Sequence, residues 1–389
     1  MSHPGLANGP IYLDYNATTP VDPAVLDAAL PYLATHFGNP SSSHHYAAAP
    51  RAALARARGQ VAELLGAEPS EIVFTGGGSE ADTLAIRGAA LAAPLSRRQV
   101  ITLPTEHPAV LQACRSLQAE GFTVTRLPVD EFGRVDPADL QATITSGTAL
   151  VSVAYGNAET GTLQPIRELA AIARAHGAVF HTDAAQAVGK VDLDVTELGV
   201  DLLTVVGHKM YAPKGVGALF IRAGVPVQPI IHGGGQEHGR RAGTENVAFI
   251  AALGKAAALA RDELPGSMQH LAELRDMLHR ELERLLPGRV HLNGHPTQRL
   301  PGTLNVSIDG IRGRALLAAL PEIAASTGSA CHEDIDTPSE VLLAMGLPTD
   351  RAGAALRLSL GRWTTGGDVR RAAQLISQQV TAPMASTPT

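Results

Sequence analysis

The sequence predicts an α/β fold: a large domain on a mainly parallel seven-stranded sheet, joined to a smaller α+β domain. Three observations carry that expectation. Residues 71–222 alternate short apolar runs with helical stretches, the pattern of a parallel sheet covered on both faces. After Gly233 the texture changes to a Gly-rich, charged loop followed by long helical patterns. The 389 residues, 45% hydrophobic and 17% charged, supply enough core for two or three domains and exclude global disorder.

In order, the candidate strands are Glu71–Thr75, Val100–Leu103, Thr123–Pro128, Leu150–Tyr155, Val179–Thr182, Leu202–Val206 and Ala218–Ile221. Helical stretches over Pro108–Glu120, Pro137–Ile144 and Pro165–His176 each open on a proline, whose missing N–H falls on a position that lacks a helical partner anyway. Helices over Asn246–Leu264 and Gly266–Leu286 follow. The tail predicts strand Leu304–Ile308, helix Arg314–Leu320, strand Ile323–Ser326, helix Ser339–Met345, strand Leu356–Leu360 and a helix over about Gly367 to Val380. The polar ending TAPMASTPT reads as a frayed terminus.

Composition narrows the function. Lys and Arg total 31 against 37 Asp and Glu, a net charge of −6, which disfavours nucleic acid as the main partner. Two cysteines far apart, Cys114 and Cys331, make no disulfide framework and suit a reducing compartment. The amino terminus lacks a signal-peptide pattern, and no apolar run approaches the ~18 residues that span a bilayer. A cytoplasmic protein without a membrane partner is the expectation. The 15 histidines show neither HExxH nor paired CxxC spacing, so no protein-bound metal is predicted.

Five segments carry chemistry. In HTDAAQAVGK, Asp183 follows an apolar strand, where its carboxylate can pair with a protonated ring nitrogen or cap a following helix. In TVVGHKMYAPKGVGALF, Lys209 sits at a strand end with apolar neighbours. Desolvation there frees an amine for imine chemistry, and a surface loop lysine is the bland alternative. In FTGGGSEADT, three glycines and Ser79 lead into a helix, a phosphate cradle or simply a capped turn. STGSACHED puts Cys331 in a Gly/Ser-rich loop, unlike Cys114, which reads as a buried structural thiol. In ALRLSLGR, Arg357 alternates with apolar residues on a strand, a placement suited to a carboxylate.

Together these segments resemble the fold-type I pyridoxal-phosphate enzymes of aminotransferase class V. More narrowly they resemble the cysteine desulfurases of the nitrogen-fixation and iron–sulfur-cluster type and the related selenocysteine lyases. The resemblance runs in family order from YLDYNATTPVDP through FTGGGSEADTLAI, TEHPAVL, ETGTLQPI, HTDAAQAVGK, VGHKMYAPKGVGAL and HGGGQEHGRRAGTEN to TGSACH and LRLSLGRWTT. It implies a large domain over 16–262 and a small domain over 1–15 and 263–389 that carries the Cys331 loop.

The resemblance also implies roles. Lys209 would hold pyridoxal 5'-phosphate as an internal imine, and Asp183 would pair with the ring nitrogen. His107 would stack on the ring, and Gln186 would bond its phenolic oxygen. Gly78, Ser79 and His208 would hold the phosphate, with Thr244 reaching the phosphate of the partner in a homodimer. Arg357 and Asn157 would bind substrate. Cys331 would take sulfur from L-cysteine as a persulfide, leaving L-alanine, and pass it to an acceptor protein. Two positions depart from the usual desulfurase pattern: Ala158 replaces the second of two asparagines, and Val206 replaces a serine. Val206 in VGHK, together with GGGQE, GTEN and the CH at Cys331, looks more like the selenocysteine lyase branch, so L-selenocysteine is the alternative substrate. Another class V aminotransferase, racemase or epimerase, or a non-enzymatic sulfur relay, is a further alternative. The acceptor stays open among iron–sulfur assembly, tRNA or DNA thiolation, and cofactor biosynthesis.

Overall fold

The structure, a computed structural model, describes residues 3–328 and 337–382. Its strands are β1 (Ile11–Tyr12), β2 (Ile72–Thr75), β3 (Gln99–Thr102), β4 (Thr123–Arg126), β5 (Thr148–Ser152), β6 (Val179–Asp183), β7 (Leu202–Val206), β8 (Gly217–Ile221), β9 (Val290–Leu292), β10 (Thr303–Ile308), β11 (Ile323–Ala324) and β12 (Ala355–Ser359). The main helices of the first half are α1 (Pro23–Ala34), α2 (Ala48–Leu65), α3 (Gly78–Ala92), α4 (Pro108–Gln118), α5 (Pro137–Thr143), α6 (Ile166–Ala175) and the one-turn α7 (Val195–Leu198). They are followed by α8 (Val247–Leu285), α9 (Gly313–Ala318), α10 (Glu340–Ala344), α11 (Thr349–Gly353) and α12 (Gly366–Thr381).

All seven strands expected between residues 71 and 222 join one sheet, in the order β2-β8-β7-β6-β5-β3-β4. Strand β8 runs against both β2 and β7. The pairs β6–β7, β5–β6, β3–β5 and β3–β4 are parallel. Strands β2, β3, β5, β6 and β7 therefore point the same way, and their carboxyl ends share one edge. The chain leaves β3 for the outer strand β4 and returns as β5 on the other side of β3, a switch of direction that opens a crevice at that edge.

Side chains alternate across the sheet because successive Cβ atoms point to opposite faces. Val151, Phe180, Leu203 and Phe220 join one buried cluster with residues of α1, α2, α6 and the first half of α8. Leu150, Leu202, Leu219 and Ile221 join another with α3 and α4. Cys114 sits in that second cluster, and burial pushes its thiol up to about 12, as a structural cysteine requires. The outer strand β4 is the one left half-exposed.

A third cluster gathers Leu13, the second half of α8, the antiparallel sheet β12-β10-β9, β11 and α12. The helix α8 links it to the large cluster. Two helices were expected there, divided at residue 265, but α8 runs through Pro265 without a break. A proline inside a helix removes one hydrogen bond. Here the residues around it are exposed, so water can meet the freed carbonyl, while Ala252–Ala260 and Leu271–Leu282 anchor the two flanks in separate cores. Neither β9 nor the short parallel pairing of β1 with β11 was expected from the pattern, since two- and three-residue strands carry no readable period.

Phe180, fully buried in β6, tests the central core. Phe180→Ala should lower unfolding stability by about 3–5 kcal/mol in denaturant titration. A loss below about 1 kcal/mol would contradict its place between the sheet and the helices of the larger cluster.

Candidate active site

Five co-directional strands deliver polar residues to one edge. Strand β2 ends at Thr75 and leads to Gly77 and α3; β3 leads to Glu106 and His107; β5 leads to Asn157; β6 ends on Asp183; and β7 leads to His208 and Lys209. Residues far apart in sequence are thus neighbours for one topological reason.

Lys209 does not point to bulk water. It is half-buried, and its Nζ donates to the carbonyls of Asn16 at 2.6 Å and Ala17 at 2.8 Å. Asp183 is buried, and its Oδ1 accepts the Ala185 N–H at 2.9 Å. A turn rather than a helix follows it, so helix capping is not its task. Burial raises the Asp183 carboxyl, and the Ala185 N–H, His107 and Lys209 pull it back down. His107 caps α4, with Nδ1 accepting from the Ala109 N–H at 3.1 Å. Its ring is open to solvent, yet the surrounding protein desolvates it enough to lower its pKa; Asp183 opposes that shift and Lys209 adds to it. These three groups therefore share one electrostatic environment.

Gln186 is buried, with Nε2 donating to the Asn16 carbonyl at 2.9 Å and Oε1 accepting from Lys190 Nζ at 2.7 Å. His208 lies 3.2 Å through Nδ1 from Thr18 Oγ1, and burial, reinforced by Lys209, lowers its pKa to about 4. It is neutral at physiological pH.

Gly77 carries a φ of 144° at the start of α3, where no side chain caps the helix. The first N–H groups of that helix are therefore open donors, aided by the helix dipole. A Cβ at Gly78 would meet Val206 Cγ2 at 2.7 Å, so the Val206 methyl fills the space beside the cradle and a side chain at 78 would close it. Ser79 is exposed in the first turn. The loop that follows β8 reaches the same turn: Arg241 pairs with Glu80 at 2.8 Å. Thr244, three residues on, is exposed, and no described hydrogen bond ties it to the other site residues.

Arg357 sits mid-strand in β12, 2% exposed. The anion it meets is Asp14, at 2.8 Å, with the Ala158 carbonyl at 3.4 Å from Nη1. Its buried Nε has no partner among the described residues. Asn157 uses its Oδ1 on the N–H groups of Glu159 and Thr160 and one Nδ2 hydrogen on the Thr105 carbonyl, so much of its amide holds the local turn. Cys331 lies outside the described residues. On the near side of it, Ser326 pairs with the Arg357 backbone; on the far side, Ser339 Oγ donates to Glu159.

Sequence reasoning gave no role to Asn16, whose carbonyl is shared by Lys209 and Gln186 and whose Nδ2 reaches the Ala158 carbonyl and Thr303 Oγ1. It also missed a buried polar layer beneath the site. His181 lies 2.8 Å from Ser152 Oγ and 3.1 Å from Thr204 Oγ1, and burial lowers its pKa to about 3. Asp82 and Glu106 are buried, each with one oxygen lacking a partner among the described residues. Nothing in their spacing marks them as partners, and only the fold brings them together.

An inward-held amine, a buried carboxylate, a capping imidazole and an open helix terminus thus lie together at the carboxyl edge of a mainly parallel sheet. The chain belongs to the aminotransferase class-V family, which it matches over residues 11–372. It is 47% identical over 372 residues to a cysteine desulfurase of Nostoc sp., covering 95% of this chain and 92% of that protein. Among solved structures, a NifS-like protein superposes with a TM-score of 0.89 at 35% identity, covering 95% of this chain and 98% of the other. A structure described as SspA in complex with cysteine gives a TM-score of 0.81 at 35% identity, covering 91% and 99%.

The buried carboxyls generate a pH signature. Burial raises Glu106 from 4.5 to about 8, the Ala154 N–H opposing and Asp183 adding to the rise. A carboxyl raised in the folded state favours folding fully below its unfolded pKa, and that contribution is lost as pH climbs through the folded value. Between about pH 5 and pH 8.5, Glu106→Gln should gain on the wild type in unfolding stability by on the order of 2–4 kcal/mol. Parallel stability curves for the two proteins would contradict this.

Proposed function

We propose that this chain is a pyridoxal 5'-phosphate-dependent cysteine desulfurase, which converts L-cysteine to L-alanine and carries the sulfur as a persulfide on Cys331. The observation that carries the reading is the Lys209 amine held inward on Asn16 and Ala17, within the electrostatic reach of Asp183 and His107. The relatives named above support the same reaction.

The residues present fit the cofactor. The uncapped α3 terminus at Gly78 and Ser79, with His208, offers neutral and backbone donors to a phosphate. Asp183 would face the ring nitrogen, His107 the ring, and Gln186 the phenolic oxygen; Lys209 would hold the cofactor covalently. When bound, the cofactor supplies an electron sink for charge left at the substrate Cα.

The chain supplies the rest. Arg357 would receive the substrate carboxylate on guanidinium donors that Asp14 leaves open. Asn157 would border the same pocket. The Lys209 amine would remove the Cα proton, since a neutral amine near the reacting carbon is a competent base. The Cys331 thiolate would attack the substrate Sγ, forming the S–S bond as the Cβ–Sγ bond breaks. Sulfur then stays on Cys331, and protonation of the carbon skeleton yields alanine.

We also read the protein as a cytoplasmic homodimer with its large domain at 16–262 and small domain at 1–15 and 263–389. The separate apolar clusters on either half of α8 support the division. For the dimer, Leu26, Leu30 and Leu33 of α1 are exposed on one face, and exposed Phe37 stacks on exposed Tyr46 at 5.4 Å between ring centres. Such an apolar face is suited to a second copy. Thr244 would then reach the partner's phosphate cradle. Leu30→Asp with Leu33→Asp should give a monomer by light scattering and weaken cofactor retention. A dimer of unchanged affinity would remove Thr244 from the shared site.

Cys331→Ala should keep the cofactor's visible absorption and lose L-cysteine turnover by at least about a thousandfold. Lys209→Ala should lose that absorption. Turnover intact in Cys331→Ala would end the persulfide mechanism. L-selenocysteine run in parallel separates the lyase alternative, which rests on Val206: selenide release that survives Cys331→Ala, with little cysteine activity, would favour it.

A further inference from the structure

The mechanism above leaves Lys190 unused. Its Nζ donates to Gln186 Oε1 at 2.7 Å, Gln186 Nε2 donates to the Asn16 carbonyl at 2.9 Å, and Lys209 Nζ donates to that same carbonyl at 2.6 Å. The chain of bonds also settles which end of the amide is which. An ammonium only donates and a carbonyl only accepts, so Oε1 must face Lys190 and Nε2 must face Asn16. One N–H of the buried Gln186 amide is left over, and it is polarised by the cation on the amide's far side.

Lys190 has no described counter-ion. The charges that act on it are two cations, Lys209 and Arg357. It lines a cavity of about 100 Å³ with Tyr15, Tyr211, Glu263, His270 and Arg362. Glu263 is taken by Arg362 at 2.6 Å, and burial raises both tyrosine phenols, so they stay neutral. An ammonium in a half-buried, cation-rich place with no carboxylate gains little for the fold by itself. Burial, with Lys209 and Arg357, lowers its pKa to about 7. An anion placed near it would hold its proton to higher pH.

We propose that Lys190 is a positioning residue: it locks the Gln186 amide so that the spare N–H meets the phenolic oxygen of the bound cofactor, and its charge favours the anionic form of that oxygen. This rests on the proposed cofactor and goes beyond it by naming what orients Gln186. The effect is reciprocal, since the anionic oxygen keeps Lys190 charged while the charged lysine keeps the oxygen anionic.

The test compares wild type, Lys190→Met and Lys190→Gln, each stripped of cofactor and titrated with pyridoxal 5'-phosphate. Two quantities are read: the dissociation constant, and the pH midpoint at which the bound cofactor's visible band changes. Lys190→Met, close in volume but without donor or charge, should bind about tenfold more weakly and move the midpoint up by about one unit, because a lost cation no longer favours the anion. Lys190→Gln keeps an N–H donor and should show the midpoint shift with a smaller loss of affinity. Equal unfolding midpoints of the stripped proteins separate these effects from damage to the fold, and Lys190→Gln serves if Lys190→Met does not fold. A wild type that binds and titrates normally beside variants with unmoved midpoints overturns this inference alone. A wild type that takes up no cofactor overturns the cofactor reading, and this inference with it.

Discussion

The segment from Leu13 to Thr19 is the seam on which the site depends. Its Asp14 pairs with Arg357 of the three-stranded sheet, and its Asn16 bonds Ser359 and Thr303 of that same sheet. The same few residues offer carbonyls to Lys209 and Gln186 and tie Thr19 to His208, all from the carboxyl edge of the seven-stranded sheet. One short stretch, with a turn over residues 15–17 closed by Asp14, thus ties the two sheets together at the place where their functional residues face each other. A turn suits this task because the carbonyls of its central residues, Asn16 and Ala17, are not used inside the turn and need partners elsewhere.

The electrostatics of the site follow from burial. Three carboxyls, Asp82, Glu106 and Asp183, lie within each other's influence, and all are raised. They cannot all be ionised in a low-dielectric layer. Asp183 is the one whose rise is opposed by Lys209 and His107 as well as by the Ala185 N–H, so it is the one best placed to carry charge. Glu106 and Asp82 are opposed only by hydrogen bonds, from the Ala154 N–H and from Thr204, and burial raises both. The imidazoles move the other way: burial keeps His181 and His208 neutral. The site is thus polarised along one direction, with neutral imidazole and backbone donors toward one end and the Asp183 carboxyl toward the other.

The departures noted in the sequence acquire physical content in the fold. Val206 places its methyl in the gap beside Gly78, so an apolar group and no hydroxyl borders the start of α3 at that point. Ala158 contributes through its carbonyl, which accepts from Asn16 and Arg357, a role that any residue type could play.

Much was legible in the linear sequence. The buried strands are near-continuous apolar runs, so the seven strands of the sheet stood out, and Asp183, His208 and Lys209 stood at strand ends where topology later put them on one edge. The continuity of α8 through Pro265 was not legible, because the proline's cost depends on whether water reaches the freed carbonyl. Nor were Asn16, Lys190, Asp82 and Glu106. The sequence by itself determined the order of strands and helices and the side-chain types at their ends, since both are set by local periodicity and residue chemistry. Only the tertiary structure decided that five strand ends share an edge, that the Asn16 carbonyl joins Lys209 to Gln186, and that Arg357 meets Asp14, because contacts between residues hundreds of positions apart depend on how the sheets stack and leave no trace in local spacing.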